Sequence, residues 1–556
     1  MLINLQEISK TLGAKNLYTG LDLMLQSGEK VGLIGRNGIG KTTLFGIMDG
    51  TDTEFGGTIE KRRGTVIAST AQEHHGIGHL RVLEYILGNL PEYAHLKNII
   101  DMYPETMGDD MDMITVYTEA LARFGELDYY DIETRATTEL EAFGLNPEHY
   151  NGELSHLSGG QKRFVELVKV TLSEADLALI DEPTNHMDYV AKDSFIDWLK
   201  SYSRAVVVIT HDRDVLAVVD RVVEIKDHGT VSFPGNYKAY LKQNSQTTQS
   251  GVEQYETAQR TLENLAKQIQ AAKAKSAGAG DSKFRILEDR LRRQHKELEA
   301  KTVKPTFWID QESMSEMKGK AVEKYDKYKA KNIRLGKTDS KDASQRRLVN
   351  VEDLSLGYDK PLFAHMNFSL SVGERIELHG RNGAGKSTLV KAIRASAEHQ
   401  KLEAKVMGGI IELDKKLVIG SYEQEIDERF LELPLGVAVM KIHQEHDVPV
   451  NDQRVRQLLS DYLFDPNLDG KLPIRHLSGG QKARFQLIAM LCHNPNLLIL
   501  DEPTNHLDLP SIEELEKALG RYEGAVLFIS HDTYFVENVG GERVTVAAGK
   551  EALVHP

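Results

Sequence analysis

Gly35-Arg36-Asn37-Gly38-Ile39-Gly40-Lys41-Thr42 is the stretch whose reading decides the fold. It fits Gly-x4-Gly-Lys-Ser/Thr and follows Val31-Gly32-Leu33-Ile34, an apolar run of buried-strand length. Gly35, Gly38 and Gly40 let backbone N–H groups wrap phosphate oxygens. Lys41 reaches the β- and γ-phosphates, and Thr42 ligands Mg2+. The helix opening through Thr43 aims its positive end at the same anion. Strand, glycine loop and helix in that order predict an α/β nucleotide-binding domain.

The same stretch recurs 345 residues on as Gly380-Arg381-Asn382-Gly383-Ala384-Gly385-Lys386-Ser387, followed by Thr388 and preceded by Ile376-Glu377-Leu378-His379. Three further motifs repeat at a constant offset of 320. Ser158-Gly159-Gly160-Gln161 returns as Ser478-Gly479-Gly480-Gln481. Asp181-Glu182-Pro-Thr-Asn-His-Met-Asp188 returns as Asp501-Glu502-Pro-Thr-Asn-His-Leu-Asp508, and His211 returns as His531. One ancestral domain has been duplicated. Each acidic pair ends an apolar run, Leu177–Asp181 or Leu497–Asp501. An aspartate at a strand end holds Mg2+ through water, and the adjacent glutamate polarises an attacking water. Glu182 and Glu502 as simple helix-cap charges, and His211 and His531 as satisfied core residues, are the bland readings. The full motif order in both copies speaks against them.

Between the copies lies a basic stretch. Residues 241–350 hold 24 Lys/Arg and 15 Asp/Glu, a formal charge of +9 in a chain at −15. A basic segment between acidic domains is an electrostatic address for a polyanion. Tyr255, Ala258, Leu262, Leu265 and Ile269 form one apolar seam, and Phe284, Leu287, Leu291 and Leu298 a second. Residues 276–282, with Gly278 and Gly280, break the pattern. These features predict two antiparallel helices, 247–275 and 282–303, with Lys273, Lys275, Lys283 and Arg285 clustered at the tip. A solvated coiled-coil spacer is the plain alternative. Trp308, in a compact aromatic patch, either stacks on a base or packs the linker's foot against a domain.

Composition sets the remaining bounds. With 556 residues, 40% hydrophobic and 27% charged, the chain suits two or more globular domains. No run of 18 apolar residues occurs, so no transmembrane helix is expected, and Met1–Leu5 enters a strand pattern with no signal-peptide features. The single cysteine, Cys492, cannot form a disulfide within the chain and is expected in a core. Together these point to the cytoplasm.

P-loop, glutamine, Leu-Ser-Gly-Gly-Gln, Asp-Glu-Pro-Thr-Asn-His-x-Asp and histidine, in that order, resemble the ATP-binding cassette superfamily. Two cassettes around a basic helical linker resemble its ABC-F branch of translation factors, over essentially the whole chain. The resemblance implies cassettes at 1–240 and 346–556, a linker at 241–345 with its tip near 273–285, and head-to-tail pairing within a monomer. Each ATP would lie between the P-loop of one cassette and the serine segment of the other, pairing Lys41 with Ser478 and Lys386 with Ser158. Those serines are expected to precede helices running from Gln161 and Gln481. Gln72 and Gln424 match the family's Mg2+-sensing glutamine. Tyr358 is placed to stack on adenine, where the first copy has Leu12-Gly13, a departure that means either an adenine held by apolar contact or two sites that bind ATP unequally.

Between Gln72 and Ser158 lie 86 positions, against 54 between Gln424 and Ser478. The excess, near 91–130, is expected to be a short acidic helical arm, with Glu105, Asp109, Asp110 and Asp112 ill-suited to RNA phosphates. Family resemblance further implies a 70S ribosome partner. The ATP-closed form would occupy the exit site, its hairpin near 23S rRNA and P-site tRNA, and act at the peptidyl-transferase centre. The outcome would be protection from large-subunit antibiotics, or alternatively relief of stalled translation. An exporter's ATPase subunit is the rival from another class, and has no use for a +9 hairpin. A DNA-directed cassette ATPase fits less well, since those usually carry long coiled coils or zinc sites.

Overall fold

A computed structural model describes residues 1–243 and 346–556, except 14, 72–75, 186, 227, 399–401, 403, 424–425, 463, 478, 506, 548–552 and 556. Between 244 and 345 it describes only nine scattered positions, all helical, from 261 to 293. The proposed hairpin tip with Lys273, Lys275, Lys283 and Arg285 lies outside the described residues, as does Trp308.

The chain is α/β, and its two halves repeat one topology strand for strand. In the first, β1 (Ile3–Leu12), β2 (Lys15–Leu25) and β4 (Gly56–Lys61) form an antiparallel sheet in the order β2-β1-β4. A six-stranded sheet runs β5-β6-β7-β3-β8-β9, from β3 (Lys30–Gly35), β5 (Ile67–Ser69), β6 (Leu177–Asp181), β7 (Ala205–Ile209), β8 (Arg221–Ile225) and β9 (Thr230–Pro234). Only β8–β9 pairs antiparallel in it. The second half repeats both sheets. β10 (Arg347–Gly357), β11 (Pro361–Ser371) and β13 (Lys405–Leu413) make the small one. β14 (Ile419–Tyr422), β15 (Leu497–Asp501), β16 (Ala525–Ile529), β12 (Arg375–His379), β17 (Glu542–Thr545) and β18 (Leu553–His555) make the large one.

The sequence dictates these choices. Strands β6, β7 and β16 are continuous apolar runs because both faces of a parallel sheet are covered. One face of the first large sheet packs Val31, Leu33, Leu179 and Val207 against Leu5, Tyr18 and Leu23 of the small sheet. The other face packs Ala178, Ile180, Val206 and Val208 against helical residues such as Val165, Val168 and Phe195. Functional loops therefore leave the carboxyl ends of β3, β6 and β7 side by side.

The acidic insert consists of helices Tyr93–Thr106 and Met111–Glu126. Tyr93, Phe124 and Tyr129 root it through ring contacts of 5.5–5.8 Å. Asp110 caps the second helix, and Glu105, Asp109 and Asp112 are exposed at the turn.

Candidate active site between the two cassettes

Both P-loops close onto the first turn of a helix, Lys41–Asp49 or Lys386–Glu398. Gly40 and Gly385 sit at φ +100° and +101°, and a Cβ there would come within 2.9 Å of Tyr18 or Phe363. Only glycine fits both the conformation and the space. Lys41 Nζ donates to Gly35 O at 2.8 Å, and Lys386 Nζ to Gly380 O at 2.6 Å, so each buried ammonium is held by its own loop. Burial pushes both lysines below the ordinary lysine range, against the attraction of the neighbouring carboxylates.

The strand-end pairs converge on these loops. Thr42 Oγ1 donates to Asp181 Oδ2 at 2.6 Å, and Ser387 hydrogen-bonds Asp501. That hydroxyl–carboxylate pair is a hard-oxygen donor set suited to Mg2+. Glu182 and Glu502 take left-handed backbone conformations, φ 44° and 48°. Their N–H groups still bond Ile209 O and Ile529 O across the strand ends, at 2.8 and 2.9 Å. A glutamate in this region costs roughly 1–3 kcal/mol, a type of strain that clusters at functional sites. Burial raises both carboxyls, Glu182 to about 8 and Glu502 to about 7, despite Lys41 and Lys386.

The histidines follow. His211 Nε2 lies 3.6 Å from Glu182 Oε1 and 3.2 Å from Lys41 Nζ. His531 Nε2 lies 3.2 Å from Glu502 Oε1, and its backbone N–H donates to Glu502 Oε2 at 3.3 Å. Burial drives both rings neutral, His211 well below the usual range and His531 to about 3.

A cavity of about 1110 Å³ spans the two halves. From the second half it takes Lys386, Ser387, Glu502, His531 and Tyr358; from the first, Gly159, Lys162 and Arg163 of the serine-segment helix. Asn37, Gly38, Glu182 and His211 line it as well, with Asn382, Gly383 and Thr388. The carboxylates of Asp508 and Asp188 cross between the halves to accept from the N–H groups of Asn37 (3.5 Å) and Asn382 (3.2 Å). Glu502 Oε1, His211 Nδ1 and both His531 ring nitrogens are buried without hydrogen-bond partners. Loop N–H donors, buried ammonium groups and unpartnered polar atoms around one cavity fit a Mg2+-bound nucleotide.

Tyr358 is 49% exposed and lines this cavity, as a platform for an adenine requires; Leu12, at 63%, is not among the lining residues. The first serine-segment helix spans Gly159–Leu172, starting two residues before the expected Gln161. Ser158 is its N-cap, accepting from Gln161 N at 3.3 Å, while Gln161 Oε1 accepts from Ser158 N at 2.9 Å. The second such helix begins at Gly479, likewise two residues before Gln481. Gln161 Nε2 and Gln481 Nε2 brace equivalent places, at His149 Nε2 and Asp469 Oδ1, both 3.1 Å. Gln72, Gln424 and Ser478 lie outside the described residues.

Sequence reasoning missed the groups that cross between halves. Lys192, on the helix Tyr189–Ser201, donates to His531 O at 2.6 Å. Arg213 pairs with Glu516 and Asp532, and the Tyr189 ring lies against His379 at 4.6 Å, tilted by 32°. Leu509 enters an apolar cluster with Ile34, Leu216 and Tyr237. The available clue was a lysine inside an otherwise apolar stripe of Phe195, Ile196 and Leu199.

Comparison with known proteins agrees with this geometry. The family described as ABC transporter matches residues 18–185 and 363–505. The putative ATP-binding protein YdiF of Bacillus subtilis is 30% identical over 97% of this chain and 79% of its own length. ABC transporter F family member 5 of Arabidopsis thaliana is 28% identical over 98% of this chain and 75% of its own. Among solved structures, the archaeal ribosome recycling factor aABCE1, in complex with stalk protein aP1, superposes with a TM-score of 0.55. It is 17% identical, over 99% of this chain and 89% of that one, a likeness of fold. Two matched cassettes in one polypeptide and similarity to such relatives over 97–98% of this chain place it in the ABC-F family of ATP-binding cassette ATPases.

Proposed function

We propose that this ATPase, in its ATP-closed form, binds the exit site of the 70S ribosome and acts on peptidyl-tRNA at the peptidyl-transferase centre. Its effect there is protection from large-subunit antibiotics, with relief of stalled translation as the alternative outcome. The carrying observation is a cavity built jointly from Lys386 and Glu502 of one cassette and Gly159 of the other. A basic linker, at +7 over residues 241–345, sits between the two. Closure around ATP then sets the angle of a cationic arm suited to 23S rRNA and P-site tRNA phosphates. The reading implies a cytoplasmic monomer, and no described helix is long and apolar enough to cross a membrane.

Within the site, Lys41 and Lys386 hold the β- and γ-phosphates, and the loop N–H groups of Gly38, Gly40, Gly383 and Gly385 surround them. Thr42 with Asp181, and Ser387 with Asp501, hold Mg2+, joined by Gln72 and Gln424. Bound Mg2+ supplies charge neutralisation at the transferred phosphoryl group. Glu182 and Glu502 orient a water and take its proton at a carboxylate oxygen. His211 and His531, neutral, sit beside those carboxylates as hydrogen-bonding partners for the reacting phosphate. Hydrolysis opens the sandwich and releases the arm.

Co-sedimentation with 70S ribosomes tests this reading, using the Glu182→Gln, Glu502→Gln protein with ATP at two salt concentrations. The expected result is pelleting that needs ATP, weakens with salt, and is reduced by alanine at Lys273, Lys275, Lys283 and Arg285. A translation assay with and without a large-subunit antibiotic separates protection from stall relief. No pelleting under any nucleotide overturns the ribosome assignment and favours an exporter subunit.

A further inference from the structure

Cassette one hands two cations, Lys192 and Arg213, to the histidine segment of cassette two. Lys192 is 4% exposed and donates from Nζ to the backbone carbonyl of His531 at 2.6 Å. In its own cassette the same ammonium pairs with Asp214 at 2.5 Å and more distantly with Asp212 at 3.6 Å. Arg213 reaches Asp532 Oδ2, the next side chain after His531, at 3.2 Å. At the repeat offset of 320, the residues equivalent to Lys192 and Arg213 are Ile512 and Thr533. Neither carries a charge, so these positions offer His211 no equivalent tether.

The histidine geometry differs in the same sense. Both histidines donate a backbone N–H to their glutamate, and His531 is held at its carbonyl as well, by Lys192. Its ring nitrogen stands 3.2 Å from the glutamate, whereas His211 stands 3.6 Å from Glu182 and faces Lys41. We propose that Lys192 is a positioning residue acting in trans, which holds His531 against Glu502 so that the Lys386–Glu502 site depends on the first cassette for its working geometry. The Lys41–Glu182 site lacks the device, which makes the two sites mechanistically unequal. This rests on the reading of Glu182 and Glu502 as the hydrolytic glutamates.

Lys192 lines the cavity, but its ammonium is taken up by His531 O and Asp214, so its loss acts on turnover more than on ATP binding. ATP turnover of Lys192→Met is measured in the Glu182→Gln background, which isolates the Glu502 site, and in Glu502→Gln, which isolates the other. The expected result is a kcat loss of about tenfold or more at the Glu502 site, with KM for ATP within about twofold. The loss at the Glu182 site is at least about fivefold smaller, because Lys192 reaches that segment only through the side chains of Asp212 and Asp214. Lys192→Arg restores most of the rate. Equal losses at both sites, or none at the Glu502 site, overturn the proposal.

A second readout is independent of the glutamates. Amide hydrogen exchange over residues 530–535 is expected to rise about tenfold or more in Lys192→Met. Unchanged exchange there removes the tether itself. Should the double glutamine protein keep full turnover, the glutamate assignment has failed; faster exchange in the same experiment would leave only the tether standing, and the proposed catalytic asymmetry would be rejected.

Discussion

Arg213→Met probes how the cassettes hold together. Arg213 is 2% exposed, with Nη1 3.4 Å from Glu516 Oε2 and Nη2 bonded to both Glu516 Oε1 and Asp532 Oδ2. Its guanidinium stands 5.2 Å from the centre of the Tyr534 ring. Burial disfavours the charge, yet Asp532 and Glu516 outweigh it and hold the group firmly protonated. Methionine keeps much of the apolar volume and leaves two buried carboxylates facing each other. Removing one partner of such a buried pair costs about 3–5 kcal/mol. The lower end applies here, because Glu516 keeps a hydrogen bond from Asn538 Nδ2 (2.9 Å) and Asp532 keeps one from Phe535 N (3.0 Å). About 3 kcal/mol is roughly a 150-fold change in an equilibrium.

The penalty falls on cassette closure, because Arg213 and its partners belong to different cassettes. The assay is ATP-driven closure, followed by energy transfer between fluorophores on the two cassettes in the Glu182→Gln, Glu502→Gln protein. The half-saturating ATP concentration should rise by up to roughly 150-fold. A double-mutant cycle with Glu516→Gln should return a coupling of at least about 1.5 kcal/mol. Coupling under about 0.5 kcal/mol would refute the claim that this pair carries the contact.

Tyr358→Ala should raise KM for ATP about 2- to 12-fold at the Lys386 site, the value of an aromatic stack, while Leu12→Ala changes the Lys41 site less than about twofold. Single-glutamine backgrounds resolve the two sites, and equal effects would contradict the asymmetry. The Cys492 thiol is pushed up to about 12 by burial, so its reactive thiolate appears only as pH climbs toward that value. At pH 8 the native protein should react with Ellman's reagent at least about 100-fold slower than the urea-unfolded chain; similar rates would contradict the burial. Glu166 accepts from Lys169 Nζ (2.6 Å), Tyr85 OH (2.7 Å) and Ala71 N (2.8 Å) in the first cassette's interior. Glu166→Gln leaves the buried Lys169 ammonium without its counter-charge, though still bonded to Tyr85 OH, and should cost about 3 kcal/mol in urea unfolding, with under about 1 kcal/mol the contrary result.

The parallel sheets were legible because their strands are unbroken apolar runs. Leu177–Asp181 and Ala525–Ile529 admit no other reading once both faces must be covered. The phosphate loops were legible because Gly40 and Gly385 answer a steric demand that no other residue meets. Helix starts were read two residues late at Gln161. The capping box that sets the true start, Ser158 with Gln161, was present in the letters but its reciprocal bonds fix Gly159 as the first helical residue. The backbone twist at Glu182 and Glu502 left no mark, since glutamate is not a residue that advertises positive φ. The contacts of Lys192 and Arg213 join residues more than 300 positions apart. They depend on how two finished domains meet, and local pattern flags Lys192 inside an apolar stripe without naming its partner. A comparison of the repeats would have found the clue, because Lys192 stands where the second copy keeps Ile512.

The central claim is that one chain builds two hydrolytic sites, each with its glutamate at the end of a parallel strand. ATP turnover of the wild type, Glu182→Gln, Glu502→Gln and the double variant tests it most directly, with nucleotide binding measured alongside. The account predicts that each single exchange removes part of the activity. The double exchange should remove about 100-fold or more while ATP still binds. Undiminished turnover in the double variant would contradict it.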